Sequence, residues 1–301
     1  VIWGNEVLIY VGAIIAVLFT VLPIFFIEEP RELKSENNDA VAQQKSSIKD
    51  MVESILPLSG FLIYGIYVIV GKLFGLTVAG DIFGLDYIEC ACVIIEILAI
   101  LAVLFNATRS SEDNNQFQKI LLAHSFTWWG VQTMNIYMFF YVVNIITGIA
   151  GTEQTVNSMA FLVRDLIGAI LPVLVLNVIA QKAGMAKTHT GSILLMALGY
   201  GLIYFFGANI YVFFASLVIV GIGWASLVSL PFAIMSERVD QSKMGLYMGI
   251  FNLSVVLPQL VASFKMGEVV NAAADKSIIF AICAVCLLIS GVLWIAVKDK
   301  K

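Results

Sequence analysis

Residues 221–263, GIGWASLVSLPFAIMSERVDQSKMGLYMGIFNLSVVLPQLVAS, read as two apolar helices joined by a short charged loop. The first helix ends around Ser229, Pro231 and Phe232, the loop carries Glu237, Arg238, Asp240 and Lys243, and the second opens at Gly245, Met248 and Gly249. On the second helix Asn252, Val256, Gln259 and Ser263 recur at the spacing of a helical face, about 3.6 residues per turn. That face is polar inside an otherwise apolar span. An unpartnered amide or hydroxyl is costly in hydrocarbon, so the spacing predicts a face turned inward, toward other helices or a water-filled cavity.

The rest of the chain has the same character. Of 301 residues 60% are hydrophobic and only 13% charged, and the mean hydropathy is +0.95. Such a chain is too apolar for an ordinary soluble domain and belongs in a lipid bilayer. Its net charge of -4 leaves no basic surface for nucleic acid, which is excluded as a partner. Cys90, Cys92, Cys283 and Cys286 all lie in apolar runs. Cys283 and Cys286 form a C-x-x-C, but with no polar or basic neighbours to hold a thiolate they read as small apolar helix residues. No phosphate-cradling glycine loop, zinc spacing or Ser-His-Asp set stands in a credible context. The reading is therefore not an enzyme, and no cofactor is expected.

Apolar runs long enough to span a bilayer, about 20 residues each, lie near 5–27, 53–75, 86–107, 121–147, 157–181, 190–206, 209–235, 245–264 and 276–297. This predicts an all-α integral membrane protein of about nine transmembrane helices. With that parity Arg31, Lys34, Lys45, Lys49, Arg109, Lys119, Lys182, Lys187, Arg238, Lys243, Lys298, Lys300 and Lys301 share one side, against Lys72, Lys265 and Lys276 on the other. The basic side is the cytoplasmic one, so the C-terminus is expected in the cytoplasm, with the protein in the inner or plasma membrane. The chain opens on Val1 and runs almost at once into apolar sequence, without the pattern of a signal peptide. We expect it to begin inside a longer membrane protein.

The combination SLPFA, a short charged loop, GLYMGIFN and PQ resembles helices ten and eleven of sugar transporters of the major facilitator superfamily. The likeness is strongest to the branch of sucrose-transporter-like proteins and glycoside-pentoside-hexuronide cation symporters. In that family a long cytoplasmic loop separates two six-helix halves. The resemblance thus implies that 1–27 is the last helix of the N-terminal bundle, that the polar stretch 28–50 is the cytoplasmic loop, and that 108–301 is the C-terminal six-helix bundle. The two spans within 51–107, joined by a loop with Asp81 and Asp86, do not fit twelve helices and read as an extra transmembrane hairpin.

Residues 124–144, HSFTWWGVQTMNIYMFFYVVN, resemble helix seven of the same family, which helps line a sugar pathway. Trp128, Gln132 and Asn135 share a helical face there, offering an aromatic platform beside amides. Sugars use both, packing CH faces on indole rings and pairing hydroxyls with carboxamides. The other reading puts Trp128 and Trp129 in an interfacial belt, with the amides bridging helices. His124, near one end of the span, reads as interfacial. Substrate-binding candidates are Trp128, Gln132, Asn135, Asn252 and Gln259, with Ser229 from the Ser-x-Pro-Phe-Ala motif.

Arg164 and Asp165 lie inside an apolar run and must be paired. Neighbouring residues on a helix diverge by about 100°, so the expectation is partners on other helices rather than each other. They are candidates for coupling or gating, or for a fixed structural pair. Glu96, in the middle of a span, is a third coupling candidate or a structural acid facing a neighbouring helix. The loop 180–191 reads as basic and cytoplasmic, carrying Lys182 and Lys187. Pro172, Pro231 and Pro258 read as helix benders, and Gly199, Gly201, Gly221 and Gly223 as sites of close helix contact. The function implied is secondary active transport of a sugar or glycoside coupled to H+ or Na+, with a missing N-terminal half as partner. A drug or metabolite exporter, or a membrane receptor or scaffold that does not transport, are the alternatives.

Overall fold

The apolar runs become helices in the computed structural model, which describes residues 10, 11, 14, 17, 18, 52–76, 78–80, 82, 84–107, 109–146 and 153–300. Two units divide at Ser46 and Ser47. In the first, Tyr10, Val11, Ile14, Val17 and Leu18 are described; all are helical and exposed. The rest of the expected span 5–27, the loop 28–50 and Asp81 lie outside the described residues.

The second unit is built from helices. A 3-10 turn at Leu56–Leu58 leads into α1 (Ser59–Phe74), which Gly75 ends in a left-handed conformation. α2 (Tyr87–Leu104) opens on a capping box in which Asp86 accepts from the Glu89 N–H and Glu89 accepts from the Asp86 N–H. α3 (Glu112–Ile145) is capped by Ser111. α4 (Glu153–Leu171) passes through a π turn at Pro172–Leu176 into α5 (Asn177–Ala183), so Pro172 does interrupt regular hydrogen bonding. α6 (Met185–Phe206), α7 (Ile210–Ser236, capped by Asn209), α8 (Met244–Ala272) and α9 (Ile278–Ile295) complete it.

Seven helical stretches among the described residues are long and apolar enough to cross a membrane: Val52–Phe74, Tyr87–Leu104, Glu153–Ala183, Met185–Phe206, Ile210–Ser236, Gln241–Ala272 and Ile278–Ile295. α3 is not one of them, although its 34 residues reach about 50 Å, well beyond a hydrocarbon core of about 30 Å. It is too polar to qualify on hydropathy, yet it is the central helix. α3 packs on α8 and α9, α9 on α6, α6 on α7, and α7 on α4, while the α1–α2 hairpin lies on α8.

Several polar groups of α3 explain how it can hold that place, because neighbouring helices satisfy them. Thr127 and Ser290 of α9 share a hydrogen bond of 2.6 Å, and Ser290 lies 2.7 Å from the Ala123 carbonyl. Tyr137 donates to the Ala262 carbonyl of α8 at 3.1 Å, and Tyr141 to the Ile203 carbonyl of α6 at 3.2 Å. Asn115 donates to the Val103 carbonyl of α2. Glycine brings backbones close where helices cross: a Cβ on Gly199 would lie 3.1 Å from the Ser216 carbonyl, and one on Gly223 would overlap Met196. Gly201, expected in the same role, has open space around it.

One end of the bundle is stitched by charge. Arg238 pairs with Asp113 at 3.0 Å and donates to the Lys298 carbonyl at 2.6 Å. The Lys298 N–H donates to Gln116 at 2.9 Å, and Lys300 donates to the Glu237 carbonyl. At the other end Lys276 closes α8, donating to the carbonyls of Val270 and Ala273. Lys265 there pairs with Glu89 at 2.7 Å.

The expected loop at 180–191 is a correction. α5 runs to Ala183, and α6 begins at Met185 with only Gly184 between them. Gly184 has φ 98°, a value that favours glycine, and the Asp299 carboxylate accepts from the Ala186 N–H at 2.7 Å. A distant carboxylate thus supplies the cap that the local sequence lacks. A Cβ on Gly184 would also strike Asp299. Gly184→Ala is expected to cost about 1 kcal/mol or more, read as a lower unfolding temperature in detergent.

Candidate functional site

α4 carries Arg164 into the bundle, where it is 5% exposed. Desolvating a guanidinium is expensive, and three kinds of contact offset the cost. Its Nε and Nη2 both lie 2.8 Å from Asp165 Oδ1. Its Nη1 donates to Asn135 Oδ1 of α3 at 2.6 Å. Its Cζ lies over the ring of Trp224 of α7, 4.3 Å from the centre, and over that of Phe161 on its own helix, 4.9 Å away. Each such cation–π contact is worth about 0.5–2 kcal/mol.

The pairing of Arg164 with Asp165 overturns the expectation that each would look elsewhere. Their Cα–Cβ bonds do diverge, but the long Arg side chain folds back so that one edge of the guanidinium grips its neighbour. The remaining Nη1 reaches the adjacent helix. The Asp165 side chain stays 52% exposed, so the carboxylate lies at the margin of the bundle while the guanidinium lies inside it.

The amides join this cluster. Asn135 Nδ2 donates to Gln132 Oε1 at 3.4 Å, so Gln132, Asn135, Arg164 and Asp165 form one chain of polar contacts across α3 and α4. Trp128 meets Trp224 edge-on, with ring centres 6.2 Å apart. Its indole N–H donates to His124 Nε2 at 2.8 Å. His124, expected near the interface, is 2% exposed and stacks on Phe251 of α8 with ring centres 4.6 Å apart. An indole can only donate, so His124 Nε2 is the acceptor and the neutral ring carries its proton on Nδ1.

The remaining sequence candidates lie apart. Ser229 Oγ donates to the Ala225 carbonyl of its own helix at 2.7 Å. On α8, Asn252, Val256 and Ser263 are exposed and Gln259 is half-buried, so the polar face is not turned into the described bundle. Apolar residues of α8 such as Ile250, Leu257 and Val261 take the inward positions instead, because they pack on the core at no cost in desolvation. Glu96 is 8% exposed on α2 and accepts from the Gly60 N–H of α1 at 2.9 Å. No groups of three or more His, Cys, Asp or Glu able to hold a metal ion occur among the described residues.

Three residues near these candidates were not singled out from sequence. Trp224 and Phe161 each lie within cation–π distance of Arg164, and, apart from that cluster, His189 of α6 is fully buried, with Nδ1 2.7 Å from Ser226 Oγ and its ring against Trp294. A tryptophan in an apolar run carries no local sign that it faces a cation from another helix. The Arg164–Asn135 contact is expected to give a coupling of about 1–3 kcal/mol in a double-mutant cycle of Arg164→Ala and Asn135→Ala, measured by unfolding in detergent. A coupling near zero would show that the two side chains are stabilised independently.

A family model described as MFS/sugar transport protein matches residues 102–274. Among solved structures, the POT family transporter PepTSo, crystallised in meso, superposes with a TM-score of 0.52 at 16% identity, covering 60% of this chain and 36% of that one. An auto-inhibited POT family peptide transporter superposes with a TM-score of 0.51 at 18% identity, covering 62% of this chain and 39% of that one. At such identities the likeness is one of fold, and the chain spans less than two fifths of the length of either transporter. No curated protein matches the chain. The family match takes in more than half of the sequence, α3 to α8 included, and the chain belongs to the MFS/sugar transport protein family.

Proposed function

We propose that the chain forms the C-terminal bundle of a secondary transporter that moves a sugar or glycoside by alternating access, coupled to H+ or Na+. In this reading 108–301 is the six-helix bundle of α3 to α9, with α4 and α5 counted as one interrupted helix. Residues 51–107 are an added hairpin, and 1–27 belong to the other half. Alternating access in this type of fold comes from two bundles moving about a midplane site, so a second bundle is required to face the first.

The observation that carries the proposal is the uncovered polar face of α8. Asn252 and Ser263 are exposed and Gln259 half-buried. Amides are poor neighbours for acyl chains. A second bundle and a wet cavity between the two would remove that conflict. Trp128, Gln132 and Asn135 would contribute the aromatic platform and amides from α3, Ser229 a hydroxyl from α7, and Arg164 with Asp165 a pair that gates or couples. The stitched basic end with Arg238 and Lys298 would face the cytoplasm, since Lys and Arg favour that side.

The full-length protein in proteoliposomes is expected to accumulate a labelled sugar or glycoside when a proton or sodium gradient is imposed, and to lose the accumulation when an ionophore collapses the gradient. Asn252→Leu and Gln259→Leu are each expected to raise KM about two- to tenfold, the scale of one neutral hydrogen bond. If no sugar or glycoside accumulates under either gradient, the sugar reading fails. Gradient-driven extrusion of an apolar drug or metabolite would instead identify an exporter on the same fold.

A further inference from the structure

A cavity of about 680 Å³ lies between the α1–α2 hairpin and helices α3 and α8. None of the substrate-binding candidates lines it. Its wall is mainly apolar and aromatic, with Phe61 and Tyr64 from α1, Phe126 and Trp129 from α3, and Val261 and Met266 from α8. Phe61 meets Phe126 and Trp129 edge-on, with ring centres 5.7 Å and 5.8 Å away.

Four ionisable side chains are set into that wall, three acids and one base: Glu89, Glu96 and Glu268 with Lys265. Lys265 is already engaged, 2.7 Å from Glu89 and 3.1 Å from Glu268. Glu96 lies two helical turns farther along α2, about 10 Å from Glu89, and no basic side chain pairs with it among the described residues. Its Oε2 accepts from the Gly60 N–H, while Oε1 is buried without a hydrogen-bond partner. An acceptor left this way costs about 1–3 kcal/mol. A ligand that supplies an N–H there recovers it.

We propose that this cavity binds an amphiphilic primary amine, its ammonium donating to the Glu96 carboxyl and its apolar tail packed on Phe61, Phe126 and Trp129. Three acids against one base favour a basic ligand, and the acid without a basic partner favours one that carries N–H donors. The aromatic wall adds cation–π attraction and accommodates the tail. The volume falls in the range of about 300–1,000 Å³ usual for small-ligand sites, which suits a single alkyl chain or a drug-sized amine. Val93 and Ile97 of α2 line the cavity and are 47% and 50% exposed, so a ligand dissolved in the bilayer can enter from the side. This site is independent of the sugar reading and stands or falls without it.

The test is equilibrium binding of labelled dodecylamine at pH 7 to the full-length protein in phosphatidylcholine nanodiscs, with empty nanodiscs measuring partition into lipid. Saturable binding above that background is expected. Dodecanol should not compete, and dodecyltrimethylammonium, which has no N–H, should compete about ten- to a hundredfold more weakly than the amine. Glu96→Gln keeps an acceptor for Gly60 but cannot give up a proton to form an ion pair with the amine, and should weaken binding on the same scale. Val93→Trp leaves the acid in place and narrows the cavity, and should also reduce binding, with thermal unfolding confirming that each variant is folded. If Glu96→Gln does not fold, the ligand series and Val93→Trp decide. Uptake equal to that of empty nanodiscs, equal binding by folded Glu96→Gln and the parent protein, or dodecanol competing as well as the amine would each overturn the proposal.

Discussion

A polar group inside hydrocarbon must find a partner on a neighbouring helix, and the placement of α3 follows from that. Its Thr127, Tyr137 and Tyr141 reach α9, α8 and α6 in turn. A helix with so many polar side chains would be unstable at the lipid boundary. At the centre, those same side chains become the contacts that fix which helices surround it. The outward surfaces of α2, α4 and α9 around Leu98, Leu162 and Ile295, which are exposed, need only lipid as a neighbour on that side.

Arg164 meets the same constraint with a full charge. Asp165, Asn135 and two aromatic faces divide the guanidinium among three helices, so no single contact carries the whole cost of burial. The arrangement depends on a flat cation with donors along separate edges. A lysine ammonium offers a point charge and could not grip Asp165 along one edge, reach Asn135 with another donor and stay over the Trp224 ring at the same time. Because the contacts lie on α3, α4 and α7, a shift of any one of these helices changes the surroundings of the charge.

Most of the helices were legible in the sequence, because a run of apolar residues about 20 long has little alternative in a bilayer. The spans expected at 53–75 and 86–107 appear as Val52–Phe74 and Tyr87–Leu104. The join at Gly184 was not legible, since its cap comes from Asp299, far along the chain. In the candidate site, the shared face of Trp128, Gln132 and Asn135 could be read from spacing, and Arg164 could be read as needing a partner. Which partner it takes depends on how far a side chain folds back, and spacing does not encode that. The polar face of α8 was readable as a stripe but not as an exposed one, because periodicity gives the relation among residues and not the direction in which they look.

The short segment 298–300 has a mechanical consequence. It touches Gln116 at the start of α3, Ala186 at the start of α6, and Arg238 and Glu237 at the end of α7. Three helix ends therefore share one load path. A displacement imposed on any of them is passed to the other two through a strap only a few residues long, and this end of the bundle resists splaying in a way that the packing of the helices alone would not provide.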